Sequence, residues 1–98
     1  MIWLQMDKKF YLTTAIAYVN AKPHLGFAWE SILADVIARY RREKGEGVYF
    51  LTGTDEHGTK IKRVAEAAGK TPQALTDENA ALVRDLKEVL GLSWDEFI

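Results

Sequence analysis

Cysteine is absent from this chain, and histidine and proline each occur only twice in 98 residues. Without cysteine there is no disulfide, no Cys-based zinc site and no thiol chemistry, which suits a reducing cytosol and sets the expectation of a cytoplasmic protein. Two histidines among scattered acids show no ligand spacing, so no metal site of the chain's own is expected. No apolar run approaches the roughly 20 residues that a membrane span needs, and the opening Met1–Asp7 is too short for a signal-peptide core. A formal net charge of −1 gives no global attraction to nucleic acid or to an anionic lipid surface. Neither membrane nor DNA is expected as a partner, and any RNA contact has to be local. Apolar residues at 48% and charged residues at 28% are ordinary for one small globular domain.

What the chain does contain is a strand, helix, strand series. Lys9-Phe-Tyr-Leu-Thr-Thr14 has the aromatic and β-branched content of a buried strand. From about Gly26 to Lys44, Ile32, Leu33, Val36, Ile37 and Tyr40 recur at the one-face spacing of an amphipathic helix, which Gly45 or Gly47 then stops. Val48-Tyr-Phe-Leu-Thr52 is a second β-rich run. This length and order predict an α/β fold in which the two strands are parallel and the helix crosses between them. Further on, Ile61, Val64, Ala65 and Ala68 mark a helix from Lys60 to about Ala68. Thr71-Pro72 caps another, which continues or restarts at Thr76 and whose apolar face is Leu75, Leu82, Leu86, Val89 and Leu90 before Gly91. Ser93–Ile98 reads as the approach to a further strand. Met1–Asp7 carry no pattern and read as a leader or start-site extension.

Two polar loops follow the two strands, so both belong at the carboxyl edge of one sheet, where open α/β folds bind ligands. The first, Tyr18-Val-Asn-Ala-Lys-Pro-His-Leu-Gly26, leads into a helix N-terminus, where unpaired N–H groups and the helix dipole favour an anion. His24 can donate to a phosphate there, and Gly26 lets backbone come close to a ligand. The second, Gly53-Thr-Asp-Glu-His-Gly-Thr59, offers Asp55 as a fixed carboxylate for a substrate ammonium. Bland roles stand beside these: Tyr18 and Asn20 as turn and core residues, Asp55 as a cap, His57 as a structural histidine, Glu30 as a dipole-stabilised acid instead of a pocket acceptor. Arg39, Arg41, Arg42 and Lys44 read as the solvated basic end of a helix, and Trp29 and Trp94 as core or partly buried residues.

Lys9-Phe-Tyr-Leu-Thr-Thr, Tyr18-Val-Asn-Ala-Lys-Pro-His-Leu-Gly, Leu33-Ala-Asp-Val-Ile-Ala-Arg-Tyr and Phe50-Leu-Thr-Gly-Thr-Asp-Glu-His-Gly-Thr resemble the amino-terminal part of methionyl-tRNA synthetases. The resemblance runs from Lys8 to Ile98 and implies the first half of a Rossmann-like class I catalytic domain, with His24-Leu-Gly matching the start of the His-Ile-Gly-His signature. It implies an ATP site of Asn20, His24, Gly26, Phe27 and Glu30, with His24 catalytic, and a methionine site of Ile16, Tyr18, Asp55 and His57. The implied substrates are methionine, ATP with Mg²⁺, and tRNA(Met). The remaining part of the synthetase is the implied partner.

Three departures from the family pattern bear on this. Phe27 stands where the signature has its second histidine, removing one of two imidazoles expected near ATP. Ala15 and Ala17 stand where proline and tyrosine are expected. The family's zinc-bearing insertion, its Lys-Met-Ser-Lys-Ser loop and its anticodon-binding helices have no counterpart before Ile98. Zinc is therefore expected only in such missing sequence. The expectation is that residues 8–98 form a truncated amino-terminal part of the catalytic domain, inactive alone. The alternatives are another class I synthetase or small nucleotidyltransferase, or a non-catalytic synthetase-like fragment that binds nucleotide.

Overall fold

The computed structural model describes residues 8–98, so the leader expected over residues 1–7 lies outside the described residues. Strand β1 (Lys9–Thr13) and strand β3 (Gly47–Thr52) pair in parallel, with Phe10 opposite Val48 and Leu12 opposite Phe50, and helix α1 (Leu25–Glu43) connects them. Strand β5 (Glu96–Phe97) adds in parallel on the other side of β3, giving the order β1-β3-β5. The sequence reading of a parallel strand, helix, strand unit followed by a further strand describes this arrangement.

Two features of the topology were not legible as strands. Within the two polar loops lie β2 (Ala17–Tyr18) and β4 (Thr54–Asp55), each two residues long, and they form their own parallel ladder with Tyr18 opposite Asp55. Runs this short carry no alternation for a pattern to reveal. Helices α2 (Thr59–Ala67) and α3 (Pro72–Leu90) come next in the chain, and Thr71 Oγ1 accepts from the Ala74 N–H as the cap expected of a Thr-Pro start. Helix α3 is one continuous helix through Thr76.

Helix α1 corrects the reading of its faces. Its buried positions are Ser31, Ala34, Asp35 and Ala38, whereas Ile32, Leu33, Val36, Ile37 and Tyr40 are exposed, as is Trp29. Small side chains let the helix lie close on the sheet, and Ala34 and Ala38 meet Phe50, Leu92 and Trp94 there, with Leu12, Val48 and Phe97 packed around them. The large apolar residues occupy the opposite side. Helix α3 departs only in part: Leu75 is buried and Leu86 packs against the core as expected, but the other buried positions are Thr76, Asn79, Ala80 and Val83, while Val89 is 75% exposed. In α2, Ile61 and Ala65 are buried as expected but Ala68 is exposed. The face of the sheet away from α1 carries Tyr11 and Tyr49, both exposed, stacked with ring centroids 5.6 Å apart.

The basic end of α1 is a clamp and not a merely solvated terminus. Asp35 accepts from the Ser93 N–H at 2.7 Å, from the Ser93 hydroxyl and from Arg39 Nε at 2.7 Å. Arg39 Nη2 also donates to the Gly91 carbonyl at 2.6 Å, and Arg42 donates to Ser93 and to Asp95. Asp95 in turn accepts from the Phe50 N–H at 2.7 Å. The α3–β5 turn is thereby fixed against both α1 and the central strand.

Burial alone would raise the Asp35 carboxyl, yet the Ser93 and Arg39 hydrogen bonds outweigh it and hold the group below the usual carboxylate range. A depressed folded-state value contributes stability that is present above the unfolded value of about 3.9 and is lost as pH falls through the lower folded value. Asp35→Ala is expected to remove that acid-range dependence and to cost about 1–3 kcal/mol, since it strands the Ser93 N–H. Thermal denaturation of both chains at neutral and acidic pH measures this; equal stability at neutral pH would contradict the clamp.

Candidate nucleotide and amino-acid site

The site is built where the ladder steps from β1–β3 to β2–β4. The Ala17 N–H donates to the Gly53 carbonyl at 3.2 Å and the Val19 N–H to the Asp55 carbonyl at 3.3 Å, so both loops leave the same carboxyl edge side by side. Beyond Val19 the chain turns through Asn20 and Ala21 and enters α1 at His24. A cavity of about 280 Å³ opens there, and Tyr18, Asn20, Lys22, His24, Phe27 and Glu30 are among its lining residues.

His24 is the N-cap of α1. Its Nδ1 accepts from the Gly26 N–H at 3.0 Å, taking up one of the helix's unpaired donors. An Nδ1 that accepts carries no proton, so the neutral ring holds its hydrogen on Nε2, the atom left to donate outward. Gly26 is explained by the same contact: a Cβ there would meet His24 Cε1 at 2.8 Å and Nδ1 at 3.0 Å. The neighbour that needs the missing side chain is the imidazole, where the sequence suggested a ligand. Gly26 itself lines a different, apolar groove with Leu25, Ala28, Trp29, Ile32 and Leu90.

Glu30 faces the cavity and also spends one oxygen on structure, accepting from the Ala15 N–H at 2.8 Å. Ala17 belongs to β2 and lines the cavity. Phe27 puts a phenyl ring where a second imidazole was expected, and it too lines the cavity.

The second loop sits beside this cavity and does not line it. Asp55 is the ladder partner of Tyr18, and its Oδ1 accepts from the His57 N–H at 3.2 Å, the local turn that aspartate favours. His57 lines a separate pocket with Glu56, Ile61, Lys62, Gln73 and Thr76 among others. Ile16 lies on the loop between β1 and β2, 46% exposed, and does not line the 280 Å³ cavity.

Sequence reasoning missed the residues that hold this loop pair together. Gly58, the N-cap of α2, has φ 141, and a Cβ there would lie 1.9 Å from Tyr18 Oη, so only glycine leaves room for the phenol. Asn79, buried on α3, donates from Nδ2 to the Val19 carbonyl at 2.8 Å. Val83 lines the cavity from one turn further along α3. An isolated asparagine in a helical pattern carries no signal of a contact made 60 residues away. Among the described residues no group of three His, Asp or Glu side chains converges on a metal position, and no helix is long and apolar enough to cross a membrane.

Comparison with known proteins bears directly on this geometry. The sequence profile of the family "tRNA synthetases class I (M)" matches residues 10–98. A methionine–tRNA ligase of Mesorhizobium japonicum is 53% identical over 91 residues, covering 93% of this chain and 18% of the relative. The enzyme of the same name from Thermotoga maritima is 52% identical over 90 residues, 92% of this chain and 14% of its own length. The solved Mycobacterium tuberculosis methionyl-tRNA synthetase in complex with methionyl-adenylate superposes with a TM-score of 0.90 at 49% identity, over 93% of this chain and 18% of that protein. This chain thus spans less than a fifth of the length of these relatives, and within that span its parallel sheet, its loops and its sequence place it in the family: it belongs to the methionyl class I tRNA synthetases.

Proposed function

We propose that this chain is the amino-terminal part of the catalytic domain of a methionyl-tRNA synthetase, and that it supplies half of a site activating methionine with ATP for transfer to tRNA(Met). The observation that carries the reading is His24, which caps α1 through Nδ1 and lines the cavity, leaving Nε2 as the atom that can donate. A helix N-terminus and an outward imidazole N–H together favour the phosphates of a nucleotide. In this reading Asn20, His24, Phe27 and Glu30 face ATP, with Gly26 serving by leaving room for the His24 ring, and Ile16, Tyr18 and Asp55 belong to the methionine side, with the His57 N–H holding the Asp55 carboxylate.

The first step joins a methionine carboxylate oxygen to the α-phosphorus and breaks its bond to pyrophosphate, which leaves. In the second, the terminal adenosine hydroxyl of tRNA attacks the methionyl carbonyl and AMP leaves. Neither step needs a protein nucleophile, so the chain's contribution is positioning and stabilisation of phosphoryl charge. His24 donates toward the α-phosphate, the Asp55 carboxylate accepts from the α-ammonium, and the Tyr18 ring bounds the amino-acid side. Mg²⁺ enters with the nucleotide as part of the substrate, neutralising phosphate charge. A cytoplasmic setting suits a cysteine-free chain doing this work.

The rest of the synthetase is the partner in this reading. Its support is the unused apolar surface: Ile32, Leu33, Val36, Ile37 and Tyr40 on α1, and Tyr11 and Tyr49 on the bare sheet face. Parallel sheets are ordinarily covered on both faces. A second reading, a module that binds adenine nucleotide without turnover, is favoured by the phenyl ring of Phe27 in the cavity.

These 98 residues alone are expected to give little or no methionine-dependent ATP–pyrophosphate exchange, because they cover only 18% of the length of a matching ligase; robust exchange by the purified chain would contradict this. A chimera in which this chain replaces the matching residues of the Mesorhizobium japonicum relative brings the missing part. There, Phe27→His is expected to raise exchange. His24→Asn keeps an acceptor for the cap, but its shorter side chain places no donor at the position of Nε2, and it is expected to lower exchange about 10²–10³-fold. In the same chimera Asp55→Ala is expected to weaken methionine by about 1.5–3 kcal/mol, roughly ten- to a hundred-fold in affinity, and to leave ATP largely unaffected. Methionine titration decides it: a silent Asp55→Ala favours the plain nucleotide-binding module.

A further inference from the structure

Among the buried polar side chains of the described residues, Asn79 is the one that reaches from its own helix to the turn carrying the site. We propose that Asn79 is a positioning residue for adenylation: by donating to the Val19 carbonyl it sets the turn from Val19 to His24, and with it the approach of methionine to ATP. The proposal rests on the synthetase reading above.

Val19 is fully buried, so neither of its backbone groups can fall back on water. Its N–H is taken by the Asp55 carbonyl through the ladder, and its carbonyl by Asn79 Nδ2 at 2.8 Å. The residue is thus gripped from both sides, by the second loop and by α3. From Val19 the chain turns and leaves regular structure, and among the described residues no backbone hydrogen bond outside helices and strands is made by Asn20, Ala21, Lys22 or Pro23. One end is fixed by the His24 cap and the other by Asn79. Val83, four residues beyond Asn79 on α3, lines the same cavity, so the helix that fixes the turn also walls the space it encloses. Side-chain amides are the fitting group here, because a buried carbonyl needs a donor and an uncharged amide provides one without burying a charge. If the donor is lost, the stranded carbonyl finds a partner only by moving the turn, and with it Asn20 and His24.

The test uses the active chimera, with exchange rates expressed per titrated active site so that loss of folded protein does not count. Asn79→Leu keeps the volume and removes the donor; it is expected to lower kcat/KM for ATP and for methionine by at least about tenfold, because small misplacements of reacting groups are costly. Asn79→Asp carries the second readout. Ionised at about pH 8, its carboxylate cannot donate and the same loss is expected; at about pH 6 a buried acid becomes protonated, its O–H donates to the Val19 carbonyl, and exchange recovers several-fold relative to the parent's own pH dependence. A purely structural Asn79 would lower the thermal midpoint and leave the per-site kinetics and their pH profile parallel to the parent, which overturns the proposal. If Asn79→Leu is not recovered folded, Asn79→Asp decides alone, its two pH values being compared within one protein. An active parent with indifferent variants overturns this proposal only, whereas a parent without exchange overturns the synthetase reading and this proposal with it.

Discussion

Everything at the functional end of this chain depends on a parallel ladder that breaks and then resumes one residue out of step. β1 and β3 pair directly as far as Thr13 opposite Leu51, and beyond the break the pairing is two residues against two, Ala17 opposite Thr54 and Tyr18 opposite Asp55. Backbone hydrogen bonds across so short a ladder are enough to make two loops, distant in sequence, leave one sheet edge together. Parallel strands require a crossover, and α1 is that crossover. Its N-terminus therefore faces the same edge, so that strand pairing and helix polarity fix where a phosphate is attracted before any side chain is chosen.

Side chains then refine what the backbone has set. The His24 ring is held by the Gly26 amide and can be held only because Gly26 has no Cβ; the Tyr18 phenol lies where Gly58 has none. In each loop an absent side chain admits a ring. Glu30 and Asn79 tie the remaining backbone, at Ala15 and Val19, to α1 and α3. At the far end of α1 the Asp35, Arg39 and Arg42 network holds β5 in place without touching the site. Stability and function therefore draw on opposite ends of one helix.

The strand, helix, strand order was legible because Lys9–Thr14 and Val48–Thr52 are continuous β-rich runs and because Gly45 and Pro72 mark where one helix stops and another starts. The buried face of α1 was not, because the larger apolar residues are on the side this span leaves uncovered, and periodicity locates an apolar stripe without saying what covers it. His24 was readable from its place before a helix. Gly58 and Asn79 were not, since a close approach to Tyr18 and a hydrogen bond to Val19 are tertiary facts with no local pattern. Asp55 was readable as a carboxylate beside the site, while its place next to the cavity instead of in its lining came only with the β2–β4 register.

The central claim is that the two loops form one aminoacyl-adenylate site. A crystal structure of the chimera with a non-hydrolysable methionyl-adenylate analogue tests it most directly. The phosphate-equivalent group is expected within hydrogen-bond reach of His24 Nε2, and the α-ammonium on the Asp55 carboxylate beside Tyr18. An analogue bound with its ammonium away from Asp55, or with its phosphate group away from the N-terminus of α1, would contradict it.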